Sequence, residues 1–291
     1  MRILVVGDLH GNLPFALDYI FPVAATHEVD AIVQCGDFGY WEHTAEGEDF
    51  LDALAEEVDR TNIPLHWVRG NHDNLRLALA RYGDRRTDDG FLACRPGVNL
   101  IPDGHIWLWS GKLLRAFGGA RSLDRDMRLD MEAKRYRRAV IGEAARRAKG
   151  LPPRDVPTTT GTLWFPEEEL TDDQYLEFLR KDSSPLDVVF SHDKPAGTAA
   201  RGLNLNSEPE YFRNQQWLQR CLVAHRPQWW FHGHLHLRYT DTIRSGDDDT
   251  WTTVVGLGCD TAAADRFAKP WHTWCVVDLE PGRDIVVTSG S

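Results

Sequence analysis

Short apolar runs that end at polar clusters recur along the first third of the chain. Arg2 to Val6, Asp30 to Gln34 and Leu65 to Val68 have this pattern, which is typical of buried strands. Between these runs, Leu13 to Ala25 and Glu46 to Asp59 carry apolar residues at helical spacing, which predicts two crossover helices. The repeated order of strand, polar turn and helix predicts a layered α/β fold with a mainly parallel sheet.

Beyond residue 90 the apolar runs become shorter and more closely spaced. Val98 to Ile101, Ile106 to Trp109 and Leu113 to Phe117 are separated by Pro-Asp-Gly and Ser-Gly-Lys turn sequences. This meander predicts a second sheet. Further strands are predicted at Asp187 to Phe190, Trp229 to Phe231, Trp251 to Val255, Trp274 to Val277 and Ile285 to Thr288.

Residues 121 to 183 interrupt the strand pattern and are expected to form an insertion over one edge of the sandwich. Arg121 to Lys149 holds ten Lys/Arg and five Asp/Glu, and Glu167 to Leu179 is predicted to be an acidic helix opened by Pro166. The basic part is interpreted as a solvated helix face, with binding of a polyanion as the alternative. Trp164-Phe165-Pro166 fits either a lid over the site or an anchor to the core.

Composition narrows the class of protein further. With 291 residues, 42% of them hydrophobic and a formal charge of −11, the chain has enough apolar residues for a sizeable core. No stretch approaches the ~20 apolar residues of a membrane span, so no membrane partner is expected. Five cysteines without a Cys-x-x-Cys pair suggest neither a disulfide framework nor a zinc ribbon, so a cytoplasmic location is expected.

Five short motifs place metal-ligand residue types directly after predicted strands. They are Asp8-Leu9-His10, Gly36-Asp37, Gly70-Asn71-His72-Asp73, Ser191-His192-Asp193 and Gly233-His234-Leu235-His236. Ends of neighbouring strands converge, so these side chains are expected to meet. Carboxylate, amide oxygen and imidazole without thiolate suit manganese, iron, zinc, nickel or cobalt. In extended backbone, the spacing of two in Asp8-x-His10 and His234-x-His236 points both side chains the same way.

Taken in order, the five motifs resemble the signature of the calcineurin-like metallophosphoesterase family of bacterial or phage type. That signature is Asp-x-His, Gly-Asp, Gly-Asn-His-Asp/Glu, His and Gly-His-x-His, and it extends here from residue 8 to residue 236. The resemblance implies a four-layer αββα sandwich of two mixed sheets flanked by helices. It also implies one metallophosphoesterase domain over residues 1–291, with a specificity insertion at about 121–183.

The resemblance implies two divalent metal ions, with manganese the first expectation. One ion would be held by Asp8, His10, Asp37 and His236. The other would be held by Asp37, Asn71, His192 and His234, with Asp37 bridging. A hydroxide between the ions would attack phosphorus.

The third motif also supplies the expected catalytic residues. His72, which the family does not use as a metal ligand, would donate a proton to the leaving alkoxide. Asp73 is adjacent in sequence and is expected to orient His72 or to bias its protonation.

One departure from the superfamily bears on the substrate. Phosphoprotein phosphatases follow Gly-Asp with a short spacer and Asp-Arg-Gly, whereas Asp37 is followed by Phe38-Gly39-Tyr40-Trp41-Glu42. Protein phosphatase activity is therefore not expected. Trp41 is a candidate stacking surface for a nucleobase, with core packing as the alternative. Arg121 either faces the phosphate or forms a structural ion pair.

These observations favour a dinuclear metal-dependent hydrolase of phosphate esters. The substrate would be a small phosphorylated molecule or a nucleotide, and the sequence leaves monoester against diester open. The first alternative is a nuclease acting on nucleic-acid ends, which only the basic insertion supports, since an acidic protein repels polyanions. The second alternative is a non-catalytic scaffold. The presence of all seven expected ligand residues argues against it.

Overall fold

The computed structural model of the chain describes residues 1–40, 45–156, 161, 163–200, 212–246, 249–260 and 269–290. Two sheets form its centre. In spatial order, sheet one contains β13 (Val286–Ser289), β12 (Trp274–Asp278), β1 (Arg2–Val6), β2 (Ala31–Gln34), β3 (Leu65–Trp67), β5 (Val98–Leu100) and β4 (Leu92–Arg95). Sheet two contains β10 (Tyr239–Arg244), β11 (Trp251–Gly256), β9 (Trp229–His232), β8 (Val188–Ser191), β7 (Lys112–Phe117) and β6 (Ile106–Trp109).

Both sheets are parallel at the centre and antiparallel at the edges. In sheet one, β1, β2, β3 and β5 run parallel, while β12, β13 and β4 pair antiparallel. In sheet two, β11, β9, β8 and β7 run parallel, while β10 and β6 pair antiparallel. The parallel strands therefore bring their carboxyl ends to one edge of each sheet.

Helices cover the outer face of each sheet. Sheet one is covered by α1 (Leu13–Phe15), a π-helical turn (Ala16–Ile20), α2 (Phe21–Thr26), α3 (Ala45–Thr61) and α4 (Leu75–Tyr82). Sheet two is covered by α6 (Asp172–Lys181) and α7 (Arg213–His225). A short 3₁₀ helix (Pro270–His272) precedes β12.

The strands are apolar on both faces, because each sheet lies between two layers. In β1, Ile3 and Val5 pack into the core between the sheets, whereas Leu4 and Val6 pack against the helices. The predicted four-layer αββα sandwich is therefore confirmed.

Residues 121–156, the first part of the predicted insertion, are more exposed than the rest of the fold, whereas α6 in its second part packs on sheet two. The main element of the first part is α5 (Arg125–Ala148), in which the buried residues are Glu132 and Glu143. The Glu132 carboxylate accepts the backbone N–H groups of Leu163, at 2.6 Å, and Trp164, at 3.1 Å. Phe165 is buried, which fits the anchor interpretation of this segment. Among helices of the described ranges, none is both long and apolar enough to cross a bilayer.

Two features of the fold differ from the sequence predictions. Strands β4 and β10 were not predicted, because both lie at sheet edges and β10 alternates half-buried with exposed residues instead of forming an apolar run. The prediction of a helix from Glu167 is wrong, since α6 begins at Asp172 behind a capping box formed by Thr171 and Gln174.

Candidate metal centre

The ends of the central strands of both sheets carry the predicted site residues. Asp8 and His10 follow β1, Asp37 follows β2, Asn71 and His72 follow β3, His192 follows β8, and His234 and His236 follow β9. Chain segments that are more than two hundred residues apart thus meet at one edge of the sandwich.

Asp37 lies at the centre of this group and is almost fully buried. One of its carboxylate oxygens is 3.4 Å from His192 Nε2. The other is 3.7 Å from His10 Nε2 and 3.9 Å from His72 Nε2. Each oxygen of this carboxylate therefore faces imidazole nitrogens, and the histidines that supply them come from separate segments of the chain.

The remaining predicted ligands lie around Asp37. Asp8 Oδ2 is 3.0 Å from His236 Nε2 and 3.9 Å from His10 Nε2, and donor atoms of these three residues lie within 4.8 Å of one another. The same distance limit holds for Asp8, Asp37 and His192. Such a set of carboxylates and imidazoles fits borderline divalent ions.

His192 and His234 join this group to the other predicted ligand, Asn71. The Asn71 Oδ1 atom is 2.8 Å from His192 Nε2. The ring centroid of His234 lies 5.0 Å from that of His192. The structure thus brings all seven predicted ligands together.

Hydrogen bonds fix which imidazole nitrogen faces the site. His192 Nδ1 donates to the Cys35 carbonyl at 2.8 Å, which turns Nε2 towards Asp37 and Asn71. His10 Nδ1 is 2.8 Å from Asp260 Oδ1, so its Nε2 likewise faces the carboxylates. Carboxylates and carbonyls in this position orient metal-binding histidines and increase their basicity.

Asp260 is a site residue that the sequence analysis missed. Its second oxygen accepts from Asn12 Nδ2 at 2.7 Å, and its backbone N–H donates to the Asp8 carbonyl at 2.8 Å. Asp260 follows β11 after Gly258-Cys259, so it shares the pattern of a strand followed by a carboxylate. That pattern was the available signal.

Residues of the predicted insertion orient the side chain of Asn71. Its Nδ2 donates to Ser122 Oγ at 2.9 Å, and the Ser122 hydroxyl donates to Glu168 Oε2 at 2.5 Å. Ser122 and Glu168 are both buried. This chain of bonds fixes the Asn71 amide with its oxygen towards His192.

The backbone at the site is unusual in its conformation. Positive φ angles occur at His10 (46°), Asp37 (49°), His234 (64°) and His236 (54°). Non-glycine residues rarely adopt this region, and such outliers cluster at functional sites. The histidines therefore reach the site from left-handed turns, not from the extended backbone assumed in the spacing argument.

Two glycines permit the close approach of the strand ends. A Cβ atom at Gly233 would lie 2.0 Å from Asp8 Oδ1, and one at Gly36 would lie 2.3 Å from His192 Nδ1. Any side chain at either position would displace a predicted ligand. These glycines are required by the geometry of the site.

The charges of the site are strongly coupled. Burial alone would raise the pKa of Asp37, but the neighbouring His72 and His192 outweigh it and hold that pKa well below its usual value. Burial opposes protonation of His192, yet Asp37 raises its pKa to about 9. Asp8 likewise raises the pKa of His236 to about 11, against the effect of burial. These carboxylates therefore favour positive charge beside them, as a cation-binding site does.

A cavity of about 220 Å³ opens onto this group. It is lined by Asp37, Asn71, His72, Leu123, Asp124, His234, Leu235 and His236. The predicted acid His72 therefore shares a solvent-accessible space with the predicted ligands.

Asp73, next to His72 in the sequence, is almost fully buried. Its carboxylate accepts the backbone N–H groups of Phe38, Gly39, Tyr40 and Gly70 at 2.7 to 3.1 Å. Asp73 thus holds the turn after β2 against the turn after β3. Its predicted influence on His72 protonation stays a prediction.

The two predicted substrate-binding residues have different outcomes. Trp41 lies outside the described residues. Arg121 is half-buried. Burial raises the pKa of Glu169, and the positive charges of Arg213 and Arg121 act in the opposite direction, so Arg121 lies near this carboxylate. A contact of Arg121 with phosphate stays a prediction.

Similarity to known proteins identifies the class of this protein. Residues 1–238 match the family model of the calcineurin-like phosphoesterases, so the chain belongs to this family. Members of this family are phosphoesterases that use divalent metal ions.

Individual relatives are more distant. The chain is 29% identical over 289 residues to a lariat debranching enzyme from Arabidopsis thaliana, an alignment that covers 88% of this chain and 60% of that enzyme. The chain therefore spans about 60% of the length of this curated relative. A crystal structure of a hypothetical protein from Thermus thermophilus is 13% identical, with a TM-score of 0.44 and full coverage of both chains.

Proposed function

We propose that the protein is a dinuclear phosphodiesterase in which two divalent ions share Asp37. The observation that carries this proposal is the placement of Asp37, with His192 Nε2 3.4 Å from one carboxylate oxygen and His10 Nε2 3.7 Å from the other. A buried carboxylate with further ligands at both oxygens fits a bridge between two ions.

The ligands divide between the two positions as the family signature implies. Asp8, His10 and His236 would complete one position, and Asn71, His192 and His234 would complete the other. Manganese is the first candidate for this mixture of oxygen and imidazole ligands, and iron, zinc, nickel and cobalt also suit it. When bound, two such ions lower the pKa of a shared water molecule and offset the charge of the phosphate.

His72 is proposed to be the general acid. Its ring lies in the cavity, and its Nε2 is 3.9 Å from the bridging carboxylate, which places it within reach of an ester oxygen bound there. As the bond between phosphorus and the leaving oxygen breaks, His72 would transfer its proton to that oxygen.

We infer a diester substrate, and not a monoester, because part of the cavity lining is apolar. Leu123 and Leu235 line it together with the predicted ligands. They offer apolar surface to a second substituent on the phosphate.

The test uses manganese-loaded protein with bis(p-nitrophenyl) phosphate and p-nitrophenyl phosphate side by side. We expect faster turnover of the diester. His72→Ala should retain its metals and lower turnover by about 10²- to 10⁴-fold for poor leaving groups, with a smaller loss for nitrophenolate. An equal loss across leaving groups would contradict the acid role, and a monoester preference would contradict the substrate class.

Nucleic acid is a second candidate substrate. The similarity to a lariat debranching enzyme supports it, as does the basic character of residues 121–149. Cleavage of single-stranded RNA or DNA that falls steeply as salt increases would favour this candidate. Hydrolysis of small esters alone, with no dependence on salt, would remove it.

A further inference from the structure

Arg128 contacts two residues that line the cavity, His72 and Asp124. It lies in the first turn of α5, and its Nη2 donates to His72 Nε2 at 3.2 Å. Its Nε donates to Asp124 Oδ2 at 2.7 Å, and its Nη1 donates to the Leu163 carbonyl at 3.1 Å. Three bonds thus hold a half-buried guanidinium against the proposed acid.

A guanidinium only donates hydrogen bonds, so the Nη2 group of Arg128, which contacts the His72 ring, can also bind an acceptor on a substrate placed beside that ring. Phosphate is the anion whose oxygen atoms match the geometry of a guanidinium best. An anionic group on the substrate is therefore the partner that suits this arrangement.

The position of His72 shows on which side of the substrate this anion lies. A general acid contacts the leaving oxygen, so groups attached to that oxygen lie beside His72. Arg128 is on that side. The surrounding segment, residues 121–149, has ten Lys/Arg and five Asp/Glu in a protein of charge −11, which suits an anionic leaving group.

We propose that Arg128 binds a second phosphate carried by the leaving group of the phosphodiester substrate. This inference rests on the proposed function. In the reaction, a water oxygen bonds to phosphorus and releases one proton to solvent. The bond from phosphorus to the leaving oxygen breaks, His72 transfers its proton to that oxygen, and His72 regains a proton from solvent. The second phosphate stays on the released product unchanged.

The test compares three dinucleotides with manganese-loaded protein. One has no terminal phosphate, one carries a 5′-terminal phosphate and one carries a 3′-terminal phosphate. The products show which nucleoside leaves. We expect the dinucleotide with the phosphate on the leaving nucleoside to be hydrolysed with about 10- to 100-fold higher kcat/KM than the unphosphorylated one, mainly through KM.

Variants connect this preference to Arg128. Arg128→Gln should abolish the advantage of the phosphorylated leaving nucleoside, so that this variant hydrolyses the three dinucleotides with similar kcat/KM. Arg128→Lys should restore part of it. The matched control is Arg60→Gln, which removes one positive charge from an exposed position in the last turn of α3. Metal content and thermal unfolding of each variant are measured in parallel.

Each outcome bears on one proposal. If wild-type protein hydrolyses bis(p-nitrophenyl) phosphate but shows no preference among the dinucleotides, this inference fails and the proposed function stands. If Arg128→Gln slows all three dinucleotides equally, Arg128 acts on the scissile phosphate or the fold, and the inference also fails. If the metal-loaded protein hydrolyses no diester, both proposals fail.

Discussion

The two sides of the cavity are built by different means. On the sheet side, Asp8, Asp37 and His192 are at most 2% exposed, and each is held by backbone or side-chain bonds from neighbouring strand ends. On the insertion side, Leu123 is 60% exposed, and the described contacts to the site run through Ser122 and Arg128. The buried side is suited to hold metals in fixed geometry, while the exposed side is suited to contact what is attached to the phosphate.

The largest expected effect comes from breaking the sheet side at its centre. Asp37→Asn should remove both metals, because both proposed positions share this carboxylate, and activity should fall by about 10³-fold or more. Elemental analysis after dialysis and hydrolysis of bis(p-nitrophenyl) phosphate measure the two effects. Asp52→Asn on the exposed face of α3 is the matched control. Retention of two metals per chain would refute the bridging assignment.

A smaller effect is expected from a residue behind the ligands on the same side. Asp260→Ala removes the carboxylate that orients His10, so metal affinity should fall about 10- to 100-fold. Asp260→Asn, which keeps an oxygen acceptor, should lose less. Titration of metal-free protein with manganese, followed calorimetrically, gives both affinities. Unchanged affinity in Asp260→Ala would show that His10 is oriented by other groups.

A prediction for the insertion side tests whether it supports the metals at all. Ser122→Ala breaks the bonds from Glu168 to Asn71, and we expect a roughly threefold to tenfold lower affinity for the more weakly bound ion. The same titration applies. An effect as large as that of Asp260→Ala would show that the insertion is as much a part of the metal centre as the sheets are.

The comparison also shows what the sequence could predict. Local patterns were sufficient for the sheet side, because buried strands give apolar runs and the ligand types follow them directly, as at Asp8 and Asp37. The two edge strands lacked that signal. The start of α6 was predicted wrongly although its capping box, Thr171-x-x-Gln174, is visible in the sequence.

Contacts between residues far apart in the sequence could not be predicted. Asp260 binds His10 across 250 residues, and Arg128 binds His72 across 56. No local periodicity encodes such pairs, and a carboxylate or an arginine alone is a weak signal. The convergence of the seven predicted ligands was predictable because a recurring motif specifies them jointly, whereas residues of the insertion belong to no such motif. Their binding of metal stays a prediction.

The smallest expected effect comes from changing Glu48, which lies outside the metal centre on the sheet side. The Glu48 carboxylate accepts from Arg95 Nη2 at 2.6 Å, from Tyr82 Oη at 2.8 Å and from Tyr40 Oη at 3.0 Å. Tyr40 belongs to the turn that Asp73 binds after β2. Through Tyr40, Glu48 therefore stabilises the turn after β2, which also contains Asp37, although Glu48 itself lies outside the metal centre.

The acidity of Glu48 determines at which pH this support acts. Partial burial would raise the pKa of Glu48, but the bonds from Arg95, Tyr82 and Tyr40 outweigh it and lower the pKa to about 2. A lowered carboxyl pKa stabilises the folded state at pH values above the pKa of the unfolded chain, roughly 4.3, and this stabilisation is lost as pH falls towards 2.

Because the Glu48 carboxylate is partly exposed, Glu48→Gln should lower the free energy of unfolding by about 1 to 2 kcal/mol at pH 7 and by less at pH 3. Denaturant unfolding at both pH values measures this, with Glu177→Gln, an exposed partner of Lys181, as control. Metal content should not change, and a loss of metal in Glu48→Gln would show that the two sides of the cavity are less separate than their burial indicates.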